Sequence, residues 1–308
     1  MTVELHGLTK FYGRGKRHRA ALDGLSMTAR AGEVLGLLGP NGSGKTTALR
    51  CLLGMTRADG GTITVLGRKV PDQLPEISCS VGALIESSPV PRGLTARHFL
   101  QHVTALAGLP RQRVAETLEL VGLADRADEA VTGYSLGMRQ RLGIALALVH
   151  DPALVVLDEP ANGLDPQGIR WLRSLLGQLR DEGRTVILSS HLLSEAQLVC
   201  DSVVVVEAGR TLLAGRVDEL ITPQADRALI TCPDPDAGTR VLRDAGADAA
   251  DADGTGVLDV RGIPVDKAVE ALVHAGQTPL EVRRHRPSLE ELFLASVSGD
   301  ATKPESGA

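Results

Sequence analysis

Short apolar runs alternate with segments of helical periodicity along most of the chain. Three of these runs are clear, Glu33–Leu38, Leu154–Asp158 and Thr185–Ser189, and each is rich in Val, Leu or Ile. Runs that are apolar at nearly every position are typical of parallel strands that helices cover on both faces of a sheet. We therefore predict an α/β core built on a parallel sheet.

The stretch from Leu94 to Val149 departs from this alternation because its pattern is mainly helical. Pro110 interrupts the helical pattern, and Gly108, Gly122 and Gly133 are further positions at which a helix can end. We predict a helical subdomain at about residues 94–149, inserted between the first two clear strands.

The pattern changes again after Leu220, and we place a domain boundary between residues 222 and 223. A shorter cycle follows, which predicts a small C-terminal α+β accessory domain over residues 223–297. Its predicted strands and helices are Arg227–Cys232, Asp236–Ala245, Gly256–Arg261, Val265–Ala275 and Thr278–Arg284, of which the second and fourth are the helices. A ferredoxin-like arrangement is one candidate for these elements.

A last helix is predicted to begin near Ser288 and to end at about Val297. Ser288 lies three residues before Glu291, the spacing at which each side chain can cap a backbone N–H of a starting helix. Residues 298–308 are polar and contain glycine, so we expect a disordered tail there.

Composition and charge limit the classes of protein to which this chain can belong. The 308 residues include 43% hydrophobic and 23% charged residues, which is ordinary for a folded globular chain. The formal net charge of -5 gives no bulk attraction to nucleic acid, and we expect no nucleic-acid partner. One basic cluster, residues 14–19, contains no aromatic residue and is interpreted as a solvated loop without a role.

The sequence also argues against a membrane span, a secretory signal and a cysteine-based metal site. The longest apolar runs, such as Ile144–Val149, are far shorter than the roughly 20 residues that cross a bilayer. The first residues lack a basic stretch followed by an apolar core, so we expect a cytoplasmic location. The four cysteines lie far apart without a CxxC pair, and we expect buried or inert thiols.

A glycine-rich segment directly follows the first clear strand. Gly39-Pro-Asn-Gly-Ser-Gly-Lys-Thr46 fits the pattern G-x-x-x-x-G-K-[ST] between a strand and a helix, which is the context of a phosphate loop. Glycines let backbone N–H groups turn toward phosphate oxygens, and the N-terminus of the following helix favours an anion. Lys45 would reach the β- and γ-phosphates, and Thr46 would offer its hydroxyl to Mg²⁺. The predicted nucleotide-binding residues here are Gly39, Pro40, Asn41, Gly42, Ser43, Gly44, Lys45, Thr46 and Thr47.

Two carboxylates, Asp158 and Glu159, end the second clear strand. The carboxyl ends of parallel strands meet at one edge of a sheet, so both acids are expected beside the phosphate loop. Asp158 suits a magnesium shell, and Glu159 suits the acceptance of a proton from the attacking water or its orientation. A pair of solvated carboxylates at a strand end is the alternative.

Further motifs lie in a fixed order around these two. Tyr134-Ser-Leu-Gly-Met-Arg-Gln-Arg141 resembles the LSGGQ signature of ABC ATPases, with Ser135 and Gly137 retained. Taken alone, Ser135 could equally be the N-cap of a helix. After the acidic pair, Asn162-Gly-Leu-Asp165 resembles the D-loop of the same family.

Two aromatic side chains extend the resemblance. His191 occupies the position of the family's switch histidine, and Tyr12 lies in a segment similar to the one that stacks on adenine. The resemblance to ABC transporter ATP-binding subunits spans about residues 2–220 and is greatest to the bacitracin-resistance and multidrug export type. The terminal Pro-Ser-Leu-Glu-Glu-Leu-Phe from Pro287 is similar to the accessory domain of that group.

The chain departs from the family pattern at two places. Leu136 and Met138 replace a glycine and the glutamine of LSGGQ, so a phosphate contact from that glutamine side chain is lost. Glu86 stands where the family has its Q-loop glutamine. It could hold a magnesium-bound water or be a solvated turn residue.

The resemblance implies a P-loop NTPase of the ABC type that uses ATP and Mg²⁺. The residues that would act in hydrolysis are Lys45, Glu159 and His191. Further residues would contact ATP, namely Tyr12, Ser135, Gly137 and Asp165, and the metal set would be Thr46, Asp158 and Glu86. The implied partners are a second ATPase chain, identical or related, and an integral membrane subunit that holds this chain on the inner face of the cell membrane. Export of a drug or antibiotic is the implied task.

Three alternatives stay open from the sequence. The chain could serve an importer, act on ribosomes or DNA, or be a regulatory ATP-binding module whose C-terminal domain senses a small ligand. ABC ATPases of the second kind usually carry two ATPase units or a long coiled-coil insert, and neither pattern is visible in this sequence.

Overall fold

The computed structural model describes residues 1–13, 19–85, 93–222, 226–251 and 254–298. The chain divides into two compact units, one formed mainly by Met1–Val217 and the other by Asp218–Leu294. This division falls five residues before the boundary that the sequence predicts.

A six-stranded sheet forms the centre of the larger unit. Its strands in spatial order are β10 (Arg210–Arg216), β9 (Ser202–Glu207), β3 (Val34–Leu38), β8 (Thr185–Ser190), β7 (Leu154–Leu157) and β6 (Val81–Leu84). The five strands from β9 to β6 are parallel, and β10 pairs antiparallel with β9. Every residue of β3, β7 and β8 is buried, which confirms the three predicted strands to within one residue at each end.

A second sheet of the larger unit is antiparallel. Its strands in spatial order are β2 (Arg19–Ala29), β1 (Val3–Tyr12), β4 (Gly60–Val65) and β5 (Arg68–Lys69). Buried leucines from β1, β2, β3 and the helix α1 (Lys45–Leu52) form one hydrophobic cluster between the sheets. This cluster fixes β1 and β2 next to the segment that joins β3 to α1.

The helices of the larger unit follow the predicted pattern in the inserted segment. There the helices are α3 (Ala96–Leu106), α4 (Gln112–Leu120) and α5 (Leu136–Leu148). The remaining helices are α2 (Leu74–Ile77), α6 (Pro166–Asp181), α7 (Leu193–Gln197) and α8 (Val217–Leu220), the last of which crosses the division between the units. In the part of the chain that the structure describes, no helix has both the length and the apolar character needed to cross a membrane.

The smaller unit has the order β-α-β-β-α-β. Its elements are β11 (Arg227–Thr231), α9 (Pro235–Asp244), β12 (Asp248–Asp251), β13 (Val257–Arg261), α10 (Val265–His274) and β14 (Glu281–Arg284). The strands form an antiparallel sheet in the order β12-β13-β11-β14, which is a ferredoxin-like arrangement. The strand β12 was missed because its Asp-Ala-Ala-Asp sequence lacks the β-branched and aromatic residues that mark strands.

The last helix, α11 (Leu289–Ser298), begins after Ser288, as predicted. The hydroxyl of Ser288 accepts a hydrogen bond from the backbone N–H of Glu291 at 3.2 Å, while the Glu291 carboxylate contacts the His285 ring at 2.8 Å. One half of the predicted reciprocal cap is therefore present. Of the predicted tail, residues 299–308 lie outside the described residues, and Ser298 still belongs to α11.

Three of the four cysteines are buried, as one form of the expectation has it. Cys51, Cys200 and Cys232 are buried, and burial raises the pKa of Cys200 to about 12. Cys79 is exposed. Within the described ranges, no group of three or more His, Cys, Asp or Glu side chains is arranged to hold a metal ion.

Candidate active site

The carboxyl ends of three neighbouring parallel strands bring the predicted site together. The phosphate loop follows β3, the acids Asp158 and Glu159 follow β7, and His191 follows β8. Because β8 lies between β3 and β7, these three segments meet at one edge of the sheet.

The backbone of the phosphate loop requires its glycines. Gly39, Gly42 and Gly44 have φ of 148°, 81° and 115°, a region that side chains with a Cβ rarely adopt. A Cβ on Gly39 would collide with the carbonyl oxygen of Val206, and one on Gly44 would lie 2.5 Å from the carbonyl oxygen of Ala21. The loop therefore folds back on itself just before α1 begins at Lys45, which leaves the helix N-terminus free for an anion.

Lys45 is held inside this loop with only 5% of its side chain exposed. Its Nζ donates to the carbonyl oxygens of Gly39 at 2.8 Å and of Pro40 at 3.2 Å, and lies 3.4 Å from Oε1 of Glu159. Buried ammonium groups need such partners. The ammonium group is therefore fixed beside the space that the loop encloses.

Ser43 shows that this space fits a ligand oxygen. Its hydroxyl is buried and has no hydrogen-bond partner among the described residues, although buried polar atoms are nearly always bonded. The Ser43 backbone is fixed, since its carbonyl oxygen accepts from the Gly209 N–H at 2.8 Å. An orphaned hydroxyl within a turn of glycines and beside an ammonium group fits a phosphate.

Asp158 and Thr46 form an oxygen pair at the start of α1. The Thr46 hydroxyl donates to Oδ2 of Asp158 at 2.8 Å, and the Ser189 hydroxyl donates to Oδ1 of the same carboxylate at 2.5 Å. A hydroxyl and a carboxylate are hard oxygen ligands of the kind that Mg²⁺ prefers. Glu86, the third residue of the predicted metal set, lies outside the described residues.

Glu159 lies between a cation and an imidazole. Its Oε2 is 2.8 Å from Nδ1 of His191, and its Oε1 faces Lys45. Its φ of 48° is left-handed, which costs about 1–2 kcal/mol for a residue with a Cβ. The surrounding contacts therefore hold the carboxylate in one direction, toward the phosphate loop, where it could accept a proton from water.

A cleft of about 390 Å³ opens from the phosphate loop toward the antiparallel sheet. Its described lining residues are Tyr12, Arg19, Ala21, Asn41, Gly42, Gly44, Lys45, Thr46, Thr47 and Glu159. The Tyr12 ring is 44% exposed, and the Lys10 ammonium lies 5.5 Å from its centre. An accessible ring on one wall and a phosphate loop on the other suit a nucleotide.

Ser135, Gly137 and Asp165 lie in a different cavity of about 570 Å³, which we call the signature cavity. Ser135 is the N-cap of α5 and accepts the Met138 N–H at 3.2 Å, whereas Asp165 is the N-cap of α6 and accepts the Gly168 N–H at 2.7 Å. In the described part of the chain, this cavity shares no lining residue with the nucleotide cleft. Ser135, Gly137 and Asp165 therefore do not line the cleft that contains Lys45 and Thr46.

Comparisons with known proteins agree with this geometry. The family model described as ABC transporter matches residues 22–162. The Nod factor export ATP-binding protein I of Sinorhizobium fredii (strain NBRC 101917 / NGR234) is 34% identical over 300 residues, which cover 96% of this chain and 85% of that protein. This chain belongs to the ABC transporter ATP-binding proteins. It is an ATP-binding and ATP-hydrolysing subunit of that family.

Two further similarities support the family resemblance predicted from the sequence. The bacitracin transport ATP-binding protein BcrA of Bacillus licheniformis is 40% identical over 212 residues, which cover 68% of each chain. A solved structure of cbiO1 from Clostridium perfringens, part of the ABC transporter complex cbiONQ, matches with a TM-score of 0.63 and 29% identity. That match covers 70% of the ATPase chain and 89% of the solved chain.

A stacked pair beside the signature cavity joins two helices of the ATPase. The Arg141 guanidinium of α5 lies 4.2 Å from the centre of the Trp171 ring of α6 and donates to the carbonyl oxygen of Val121 at 3.2 Å. Burial lowers the pKa of Arg141, and the charge of Asp165 partly opposes this shift. This contact joins the helix that begins after Ser135 to the helix that begins after Asp165.

Two residues at the site of the ATPase were not predicted from the sequence to belong to it. Arg19 was assigned to a solvated loop, which is wrong, because it begins β2 opposite Tyr12 and lines the nucleotide cleft. The rest of that basic cluster, residues 14–18, lies outside the described residues. Ser189 was noted only as part of the strand before His191, yet it contacts both acidic residues. A hydroxyl at the end of a strand that precedes a catalytic segment was the available signal.

Proposed function

We propose that two copies of this ATPase enclose two ATP molecules and couple their hydrolysis to export of a small organic compound by a separate membrane subunit. Each ATP would lie between the nucleotide cleft of one chain and Ser135 and Gly137 of the other. The observation that carries the proposal is the separation of the cleft from the signature cavity within one chain. In the proposed arrangement each ATP contacts residues of both cavities, and the second chain supplies Ser135 and Gly137.

The roles of the cleft residues follow from their geometry. Lys45 and the loop N–H groups would bind the phosphates, while Thr46 and Asp158 would hold Mg²⁺, which offsets the charge that develops during phosphoryl transfer. Glu159 would accept the proton of the attacking water, and His191 would orient that carboxylate through the 2.8 Å contact. Tyr12 would stack on the adenine.

Chain association tests the shared ATP site. The Glu159→Gln variant should bind ATP without turning it over, and its mass by light scattering should double with ATP and Mg²⁺ but not with ADP. A second variant that combines Glu159→Gln with Ser135→Asp should stay monomeric, because the added charge would face the γ-phosphate. ATP binding by Glu159→Gln with no change in mass would count against the shared site.

Capture from native membranes tests the membrane partner and the direction of transport. Tagged chain in mild detergent should retain a protein with several membrane spans, and inverted vesicles that contain both should accumulate the compound on addition of ATP. The names of the similar Nod factor and bacitracin proteins favour export of an organic compound. ATP-driven movement in the opposite direction would indicate an importer, and capture of ribosomal or DNA-bound proteins alone would overturn transport.

A further inference from the structure

Ser189 lies at the point where the two acidic residues of the ATPase meet. It is fully buried near the end of β8, with 0% of its surface exposed. Its hydroxyl donates to Oδ1 of Asp158 at 2.5 Å and accepts the backbone N–H of Glu159 at 2.8 Å. One small side chain thus uses its donor and an acceptor lone pair on two successive residues of a neighbouring segment.

The bond to Asp158 fixes the plane of that carboxylate. Since Oδ1 is engaged by Ser189, Oδ2 is directed toward the Thr46 hydroxyl, which donates to it at 2.8 Å. The two oxygens proposed to bind Mg²⁺ are therefore aligned by a residue that need not touch the metal. Without the hydroxyl, the Asp158 carboxylate could rotate about its last bond.

The bond to Glu159 holds an unfavourable backbone conformation. Glu159, the second residue after β7, adopts φ of 48°, and this turn directs its carboxylate toward Lys45 and His191. The N–H of Glu159 has the Ser189 hydroxyl as its acceptor. Loss of that acceptor would leave the N–H unsatisfied and favour a relaxed backbone that points the carboxylate elsewhere.

We infer that Ser189 is a positioning residue for ATP hydrolysis that aligns Asp158 for the metal and Glu159 for the attacking water at the same time. This inference rests on the proposed roles of those two acids. Ser189 couples them, so its loss affects metal use and turnover together while the phosphate loop still binds nucleotide.

The chain offers a matched pair of substitutions for the test. Thr and Val have nearly the same shape, and they differ at position 189 only in the hydroxyl. Ser189 lines a small cavity of about 30 Å³, and the Ser189→Thr variant measures the effect of an added methyl group by itself. Thr104→Val serves as a control, because Thr104 is a buried hydroxyl of α3 that donates to the Gln101 carbonyl oxygen away from the site.

The full-length Ser189→Thr, Ser189→Val and Thr104→Val variants are compared by phosphate release, Mg²⁺ titration and equilibrium binding of a fluorescent ATP analogue. We expect Ser189→Val to lower kcat by about 10- to 100-fold and to raise the half-saturating Mg²⁺ concentration severalfold. Binding of the analogue without Mg²⁺ should change by less than about twofold. Ser189→Thr and Thr104→Val should stay near wild type in all three measurements.

Equal kcat and Mg²⁺ dependence in the Thr and Val variants would overturn the inference. The Glu159→Gln variant, run in parallel, separates this result from a failure of the proposed function. If Glu159→Gln is inactive and Ser189→Val is normal, only the role of Ser189 fails. If Glu159→Gln hydrolyses ATP rapidly, the role of Glu159 fails, and the part of the inference that concerns the attacking water fails with it.

Discussion

The nucleotide cleft and the signature cavity use their polar side chains in opposite ways. In the cleft, side chains contact one another: the Lys45 ammonium pairs with Glu159, and the Thr46 hydroxyl donates to Asp158. In the signature cavity, Ser135 and Asp165 are bonded to the backbone at the starts of helices. The side chains proposed to act in hydrolysis therefore lie at the cleft, whereas the signature cavity presents the capped starts of two helices.

The cap at Ser135 does not conflict with a contact to ATP. A serine hydroxyl has one donor and two acceptor lone pairs, and the cap uses a single lone pair for the Met138 N–H. The O–H remains to be donated to a phosphate oxygen from another chain. The two readings of Ser135 that the sequence left open are thus compatible.

The Glu159→Gln substitution should have the largest effect, because it changes the cleft and leaves the signature cavity as it is. The amide cannot accept a proton from water, so we expect kcat to fall by about 10²- to 10⁴-fold while ATP affinity changes by less than about twofold. Phosphate release and equilibrium binding measure the two quantities. A rate near that of wild type would remove Glu159 from the mechanism and leave the cleft only a binding role.

Lys45→Met should weaken the binding of ATP in the cleft. Its ammonium is the cation fixed beside the loop, and a hydrogen bond to a charged group contributes about 1.5–3 kcal/mol. We expect ATP affinity measured by calorimetry to fall by about 10- to 100-fold. Unchanged affinity would mean that the backbone of the loop alone holds the phosphates.

Substitutions of Ser135 should leave the cleft intact and impair only the shared site. Asp is as good an N-cap as Ser, so Ser135→Asp keeps α5 capped, while Ser135→Ala costs about 1 kcal/mol of stability. In the Glu159→Gln background, we expect both variants to weaken ATP-driven association by at least about 10-fold in analytical ultracentrifugation, with nucleotide binding by the monomer unchanged. If only Ser135→Ala has this effect, the cap rather than a phosphate contact explains it.

Arg19→Ala should have the smallest effect on the cleft. Arg19 is exposed opposite Tyr12, and its Nη2 is 3.8 Å from the place of a Cβ on Gly42, so it can reach a phosphate or the ribose. We expect ATP affinity to fall about fivefold, because a solvent-exposed charge contributes about 1 kcal/mol or less. Arg111→Ala is the control, since Arg111 is exposed at the start of α4 and outside the cleft lining. Equal affinities of the two variants would exclude Arg19 from the site.

Local patterns were sufficient for three central strands of the larger unit, for the helical insert and for most elements of the smaller unit. The strands β3, β7 and β8 were predicted because each is an unbroken apolar run, and the helical insert because of its periodicity. In contrast, β12 has no such signal and exists through its pairing with β13. The strands β1 and β2 are half exposed and were not assigned, since their apolar positions are interrupted by polar ones.

The phosphate loop and the two acids can be located from the sequence alone, because strand, glycine turn and helix follow one another within a few residues and their chemistry is local. Three features become visible only in the folded chain: Ser189 bonds to both Asp158 and Glu159, Arg19 lines the cleft, and the signature cavity has other lining residues than the cleft. These contacts join segments far apart in the chain. They depend on strand order, on the pairing of β1 with β2 and on the packing of α5 and α6, and a hydrophobic pattern specifies none of these by itself.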